Sequence, residues 1–283
     1  VTMDSKKFIW LSSYPKSGNT MIRLFLSAYF FSKEGKINSL KEIKHISNFQ
    51  NLLLTLPNMP SYEDFKKDLS KVCPLWLNAQ ETNAPLIKKS LILKTHSFMG
   101  KINNYPLTSS KYTKGFIYIV RDPRSVCISN MHHYNFSINE SVKSIFDDKR
   151  FSLGLGAPVP EIISSWKNHY LSWKKFSSEV PNIIVKYEDL IDNKEKELEK
   201  ILKFLSLINK FELNLEKLKN SINSIDFKKV KKMEEDKGFD EKLHGNSFFR
   251  KGLKDEWKNE LSKKLQFEIE KKFENEMKEL GYI

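Results

Sequence analysis

A lysine, a glycine and a threonine follow the first apolar run of the chain, at a spacing that could bind an anion. The run Phe8–Leu11 predicts a buried strand, and the pattern from Asn19 to Phe31 predicts an amphipathic helix. Backbone N–H groups at a helix start attract anions, Lys16 adds a charge, Thr20 adds a donor, and Gly18 permits close approach to the backbone. An ordinary loop with a solvated lysine explains these residues equally well on their own.

The same turn does not match the nucleotide-binding loop of kinases and NTPases. That loop requires the pattern G-x-x-x-x-G-K-[ST], whereas Lys16 precedes the only glycine of this turn. Ser17 does follow Lys16 directly, at the position where a magnesium-binding hydroxyl is expected. A P-loop-type nucleotide kinase or NTPase therefore stays open as an alternative function.

The rest of the chain predicts an α/β fold around a parallel sheet. Three further apolar runs predict strands, at Leu91–Thr95, Phe116–Val120 and Ile183–Val185. Helical patterns follow at Glu161–Phe176, Lys194–Leu205 and Glu256–Leu280, and Asp122 can cap a helix that starts at Pro123. This alternation is typical of three layers, a P-loop-like arrangement with a central parallel sheet flanked by helices. Without a Pro/Gly/Ser-rich linker, residues 1–283 are expected to form a single domain.

Composition restricts the class of protein further. The chain has 48 Lys and Arg against 35 Asp and Glu, a net charge of +13, with most of the excess in the first two-thirds. A polyanionic ligand fits this excess, although solubility explains charge alone more simply. Binding to nucleic acid or another polyanion is an alternative that the charge permits, but we recognise no nucleic-acid-binding motif. The two cysteines, Cys73 and Cys127, indicate a reducing compartment, and no run predicts a membrane span, so a cytoplasmic protein is expected.

The turn gains a specific meaning from a resemblance to a known family. The segment SSYPKSGNTM resembles the loop YPKSGTTW, with which sulfotransferases bind the 5′-phosphosulfate of the donor PAPS (3′-phosphoadenosine-5′-phosphosulfate). The core YPKSG is intact, while Asn19 replaces Thr and Met21 replaces a Trp that stacks near adenine. The resemblance implies that the donor is bound here by Lys16, Ser17, Gly18, Asn19, Thr20 and Met21. It also suggests a cytosolic-type sulfotransferase domain that resembles the bacterial members of the family.

Two further segments resemble the family's binding site for the 3′-phosphate of the donor. IYIVRDPRSVCISN matches a pattern in which an arginine ends a strand and a serine follows eight residues later, here Arg121 and Ser129. The planar fork of arginine can donate two hydrogen bonds to a phosphate, although a helix-start pair of Arg121 with Asp122 is the simpler interpretation of that segment alone. SFFRKGLKDEWKN resembles RKGxxGDWK and implies a phosphate contact from Arg250, Lys251 and Gly252, with a second glycine replaced.

The segment ILKTHSF resembles the strand that carries the family's catalytic histidine. Lys94 and His96 are two residues apart, so on a strand they share a face. By the resemblance, His96 is the general base for the acceptor, and Lys94 stabilises negative charge on the transferring group. Lys16 stabilises the bridging oxygen as it leaves, and Ser129 hydrogen-bonds Lys16 before transfer. Weaker matches at IIVKYEDL and IDFKKVKKME imply adenine contacts from Tyr187 and Phe227.

The resemblance implies an enzyme that transfers a sulfuryl group from PAPS to a hydroxyl or amine and releases adenosine 3′,5′-bisphosphate. The expected partner is a small-molecule, lipid or carbohydrate acceptor, and the reaction requires no metal. The irregular stretches 45–85 and 135–160 are expected to wall the acceptor pocket. The family's dimerisation motif is not recognisable between Lys258 and Glu270, so a homodimer would use another surface.

Overall fold

The computed structural model describes residues 6–154, 157–243 and 246–283. Its strands are β1 Phe8–Ser13, β2 Leu91–Thr95, β3 Lys101–Ile102, β4 Tyr105–Pro106, β5 Thr113–Val120, β6 Phe151–Gly154, β7 Ala157–Ile162 and β8 Asn182–Lys186. Its α-helices are α1 Asn19–Phe31, α2 Phe49–Leu53, α3 Tyr62–Lys67, α4 Cys73–Asn83, α5 Pro123–Tyr134, α6 Ile138–Phe146, α7 Trp166–Phe176, α8 Tyr187–Asp192, α9 Lys194–Asn209, α10 Leu215–Ser224, α11 Phe227–Lys237, α12 Trp257–Glu260, α13 Lys263–Lys272 and α14 Glu274–Glu279.

The four strands predicted from the sequence form one parallel sheet in the order β2-β1-β5-β8. The chain leaves β1 for β2 on one side and later returns to pair β5 on the other side. Ligands of open α/β sheets bind at such a reversal of strand order, beyond the carboxyl ends of the strands. Here that place is the end of β1, where the turn Tyr14–Gly18 lies, which we call the Lys16 turn.

Side chains of β1 alternate between two cores, one on each face of the sheet. Phe8 and Trp10 pack in a cluster with aromatic residues of α4 and α7. Ile9 and Leu11 pack in a second cluster with α1 and α9. Because successive side chains of a strand point to opposite faces, helices cover both faces of the sheet. This confirms the three-layer α/β fold.

Two predicted helices have different bounds in the structure: one begins later than expected, and the other is divided into three. Glu161 lies in β7, which pairs with β6, and α7 begins only at Trp166, where the Ser165 hydroxyl accepts from the Asn168 N–H. The predicted C-terminal helix is divided into α12, α13 and α14, because a new cap at Ser262 and the residue Phe273 interrupt it. Periodicity alone did not reveal these breaks, since helix caps depend on local hydrogen bonds. Within the described ranges, no helix is long and apolar enough to cross a bilayer.

Candidate active site

The Lys16 turn is held in a conformation that depends on its glycine. Gly18 has φ 96°, and a Cβ there would lie 2.6 Å from the Tyr187 ring. Lys16 itself has φ 68°, which is uncommon for a residue other than glycine. The hydroxyl of Ser17 is buried and has no hydrogen-bond partner among the described residues. An unpaired buried donor is costly, so the turn is suited to an additional acceptor such as an anion.

Asn19, one of two residues that depart from the family loop, links the start of α1 to the end of β1. Its Nδ2 donates to the Leu11 carbonyl at 3.3 Å and to the Ser13 hydroxyl at 3.2 Å. Ser13 in turn contacts the His96 ring, with 3.2 Å between Oγ and Nδ1. The asparagine therefore connects the Lys16 turn with the predicted base through one intermediate side chain.

The Lys16 ammonium lies 4.2 Å from the centre of the Phe248 ring. Burial lowers the pKa of Lys16 to about 7; the charge of Arg121 acts in the same direction, and Glu241 opposes it. A lysine with this pKa loses part of its charge near neutral pH. A bound anion would restore that charge, because an opposite charge nearby favours the protonated form.

A carboxylate from the C-terminal part of the chain reaches the first turn of α1. Glu241 accepts from the Thr20 hydroxyl at 3.2 Å and pairs with Arg23 at 2.5 Å. Met21 is half-buried and packs against the second core cluster. The sequence did not point to Glu241 or Arg23, because the contact joins positions 218 residues apart.

Arg121 joins the Lys16 turn to the C-terminal loop. Its guanidinium donates to the Lys16 carbonyl at 2.9 Å and to the Leu253 carbonyl at 3.2 Å, and it lies 4.2 Å from the Tyr187 ring centre. Its Nε is buried and lacks a partner among the described residues. The simpler interpretation, a pair with Asp122, is wrong, because Asp122 pairs with Arg124 at 2.6 Å.

Ser129 lies half-buried on α5, on the same strand–helix unit as Arg121. The hydrogen bonds of the described ranges do not include one between Ser129 and Lys16. The Ser129 hydroxyl is therefore close in sequence to the predicted phosphate site, and its role there stays a prediction.

The C-terminal RKG segment is held by Glu256. This carboxylate pairs with the Arg250 guanidinium and, at 2.9 Å, with the Lys251 ammonium. Gly252 has φ 66°, and a Cβ there would lie 2.8 Å from the Phe227 ring. Gly252 and Phe227, both predicted to contact the nucleotide, are therefore neighbours. Without the carboxylate, the two basic side chains would repel each other.

His96 follows β2 and faces the end of β1. Its Nδ1 lies 2.7 Å from the Ser13 carbonyl oxygen, which can only accept, so Nδ1 carries the proton and Nε2 has a free lone pair. Burial, reinforced by the charge of Lys94, holds the pKa of His96 well below its usual range. The ring is therefore neutral at neutral pH, which is the form required of a general base.

A buried glutamate that sequence reasoning missed organises this end of β2. Glu161 accepts from the His96 backbone N–H at 2.6 Å, pairs with the Lys94 ammonium at 3.3 Å and contacts the Thr95 hydroxyl at 3.4 Å. His169 lies behind it and contacts the His96 carbonyl at 3.1 Å.

Taken together, the site contains a cationic turn, an arginine with an unpaired donor and a neutral histidine at one edge of the sheet. Such a constellation can hold a polyanion and remove a proton from a second reactant. Within the described residues, no cluster of three or more His, Cys, Asp or Glu could hold a metal ion.

Comparison with known proteins agrees with this geometry. Residues 6–281 match the model of the sulfotransferase domain family. Sulfotransferase 1A1 from Bos taurus is 25% identical over 256 residues, which is 88% of this chain and 76% of that protein. Sulfotransferase 1E1 from Homo sapiens is 25% identical over 280 residues, 95% of this chain and 83% of that protein. These relatives are mammalian, so the expected resemblance to bacterial members of the family is not supported.

The fold is also shared with a solved structure. Retinol dehydratase in a complex with retinol and PAP aligns with a TM-score of 0.62 at 18% identity, covering 96% of this chain and 82% of that one. At this identity the likeness shows the fold alone, whereas the family match covers nearly the whole chain. The chain therefore belongs to the sulfotransferase domain family, as its motifs indicated, and is a sulfotransferase.

Proposed function

We propose that this sulfotransferase takes its sulfuryl group from PAPS and transfers it to a hydroxyl or amine of a small-molecule, lipid or carbohydrate acceptor. The observation that supports the donor most strongly is a pair of buried donors without a hydrogen-bond partner among the described residues: the Ser17 hydroxyl within the Lys16 turn, and Nε of Arg121, which donates through Nη1 to the Lys16 carbonyl. Retinol dehydratase, which shares the fold, was solved with PAP, the desulfated donor nucleotide.

The two ends of the donor would use different elements of the chain. The Lys16 turn, with Asn19 and Thr20 at the start of α1, would bind the 5′-phosphosulfate. Arg121, Ser129 and the segment Arg250–Gly252 would bind the 3′-phosphate, and Tyr187, Phe227 and Met21 would surround the adenine. The hydrogen bond from the Arg121 guanidinium to the Leu253 carbonyl, at 3.2 Å, supports a shared 3′-phosphate site, because it joins Arg121 to the residue that follows Gly252.

When bound, PAPS supplies a sulfuryl group joined to phosphate through a bridging oxygen. His96 Nε2 takes the proton from the acceptor, whose oxygen or nitrogen forms a bond to sulfur. The bond from sulfur to the bridging oxygen breaks, and its electron pair stays on that oxygen, where the Lys16 ammonium stabilises the charge. Lys94 and backbone N–H groups of the turn stabilise the sulfuryl oxygens, as in phosphoryl transfer. No step requires a metal.

We further propose that residues 1–283 act as one catalytic domain in the cytoplasm. Both cysteines are buried and free, which suits a reducing compartment. Retinol dehydratase, which shares the fold, was solved in complexes with retinol and with androsterone. By analogy, we propose that the acceptor of this chain is also a small molecule.

Calorimetry with adenosine 3′,5′-bisphosphate tests the donor assignment directly. The wild type should bind this nucleotide, and Arg250→Ala should weaken binding by about tenfold or more, since a charged hydrogen bond contributes roughly 1.5–3 kcal/mol. Lys258→Ala, which removes an exposed charge eight residues away, is the matched control. Binding to ATP with Mg²⁺ but not to this nucleotide would favour a kinase, and salt-dependent binding to nucleic acid alone would favour a polyanion-binding protein.

A further inference from the structure

A buried arginine beside the candidate active site pairs with no Asp or Glu in the part of the chain that the structure describes. The side chain of Arg150 is 9% exposed, and no Asp or Glu lies within ion-pair distance of it among the described residues. It donates to the Tyr14 hydroxyl at 2.8 Å and lies 5.2 Å from the Tyr14 ring centre and 5.8 Å from that of Tyr134. Neither phenol compensates its charge at neutral pH, because burial raises the pKa of Tyr14 to about 12 and also raises that of Tyr134.

Arg150 stands close to the reacting end of the site. Arg150 directly precedes β6. Its backbone carbonyl accepts a hydrogen bond at 2.8 Å from the N–H of Ile163, the residue that follows β7. On the same strand pair, Glu161 binds the His96 backbone. Across from it, the Tyr14 ring packs edge-on against His169 at 5.5 Å. The guanidinium therefore lies between the hairpin β6–β7 and the residue that begins the Lys16 turn.

The carboxylate of the hairpin β6–β7, Glu161, already has other partners and does not pair with Arg150. Glu161 is bound by Lys94 at 3.3 Å and by the His96 N–H at 2.6 Å. The hydrogen bonds of the Arg150 guanidinium within the described residues go to the hydroxyls of Tyr14 and Tyr134, and neither of these carries a charge at neutral pH. An unpaired buried cation costs several kcal/mol of free energy, and a bound anion is the usual compensation.

We infer that Arg150 binds an anionic group of the acceptor, such as a carboxylate or sulfonate, and thereby selects acidic acceptors. The inference rests on the proposed function and deepens it. The donor is the weaker candidate for this anion, because Lys16, Ser17, Arg121 and the RKG segment already account for its charges. Tyr134 stacks on Phe136 at 5.3 Å beside the guanidinium, which suits an acceptor with an aromatic body.

The test measures binding in the presence of adenosine 3′,5′-bisphosphate, so it does not depend on turnover. The probes are para-hydroxyphenylacetate against its neutral amide and para-hydroxybenzenesulfonate against its sulfonamide. We expect at least one acid to bind the wild type about 10- to 100-fold more tightly than its amide. Arg150→Met should abolish this preference, while Lys149→Met, which removes a neighbouring exposed charge, should keep it.

Three results would overturn the inference. These are a wild type that binds neither acid more tightly than its amide, an Arg150→Met variant that keeps the preference, and an Arg150→Met variant that instead weakens only the binding of adenosine 3′,5′-bisphosphate. If Arg150→Met does not fold, the comparison within the wild type still decides the question. A failure of the donor proposal is separate, since it would appear as lost nucleotide binding in the wild type.

Discussion

At the scale of single residues, the site is defined by charged groups whose burial changes their chemistry. Lys16 and His96 are both kept from holding a full charge at neutral pH, since burial lowers the pKa of each. The two lowered pKa values have different consequences for the site. A neutral His96 can accept a proton at once, whereas Lys16 recovers its charge when an anion binds beside it.

The pKa of Lys16 predicts pH-dependent nucleotide binding. With a pKa of about 7 in the free protein, Lys16 is charged below pH 7 and neutral above it. Because only the charged form attracts the phosphate, the affinity for adenosine 3′,5′-bisphosphate should be highest below pH 7. It should then fall by up to about tenfold per pH unit above 7. Calorimetry between pH 6 and pH 9 measures this slope.

Lys16→Arg is the control for that experiment, since arginine stays charged throughout this range. Its affinity should show a flatter dependence on pH. An equal slope in wild type and Lys16→Arg would assign the titration to another group.

Several residues of the site could be predicted from the sequence, because they lie in short contiguous motifs. Lys16, His96 and Arg121 each follow a strand that an apolar run predicts, whereas Arg250 was identified only by the resemblance of its segment to RKGxxGDWK. Glu161 and Glu241 could not be predicted in this way. Their partners are 67 and 218 positions distant along the chain, and single-sequence patterns carry no information on such contacts.

At the scale of elements, β7 is fixed to β2 by a buried ion pair. Lys94 and Glu161 have side chains only 9% and 8% exposed, and the carboxylate also holds the His96 backbone. The four core strands and their parallel sheet were predictable from apolar runs, but β7 was not: residues 157–160 fell in a stretch expected to be irregular, and Glu161 and Ile162 in a predicted helix. Its polar and apolar residues carry no clear alternation, and only pairing with β6 makes it a strand.

The ion pair predicts a clear pattern of stability. Glu161→Gln should lower the free energy of unfolding by roughly 3–5 kcal/mol, because it leaves the Lys94 ammonium buried without a counter-charge. The double variant Lys94→Met, Glu161→Gln removes both charges and should recover most of that loss. Denaturant unfolding measures both variants, and a single variant as stable as the wild type would show that the pair contributes little.

At the scale of the whole molecule, the sheet brings together segments from both ends of the chain. Lys16 contacts the Phe248 ring, and Glu241 binds Thr20 in the first turn of α1. Arg121 donates both to the Lys16 carbonyl and to the Leu253 carbonyl. The family match over residues 6–281 agrees with a site that needs nearly the whole chain.

Buried neutral histidines predict a loss of stability in acid. Burial lowers the pKa of His169 to about 3 and holds that of His96 well below its usual range. Because their folded pKa values are depressed, the unfolded chain binds protons first as the pH falls. Stability should therefore be complete above about pH 6.5 and decline towards pH 3, by up to about 1.4 kcal/mol per pH unit for each histidine.

His169→Gln, measured by thermal unfolding across this range, should decline less steeply than the wild type. Glutamine carries no titrating group, and it can still donate towards the His96 carbonyl. Parallel curves for the two proteins would show that His169 does not contribute to the acid sensitivity.

The account depends most on sulfuryl transfer from PAPS with His96 as the base. The direct measurement incubates the protein with labelled PAPS and an acceptor library and detects sulfated products by mass spectrometry. The wild type should form a sulfated product and release adenosine 3′,5′-bisphosphate. His96→Ala should lose roughly 10²- to 10⁴-fold in rate while binding that nucleotide normally, and His45→Ala, at an exposed histidine, should behave as the wild type. Near-normal turnover by His96→Ala, or no transfer by the wild type to any acceptor, would contradict the account.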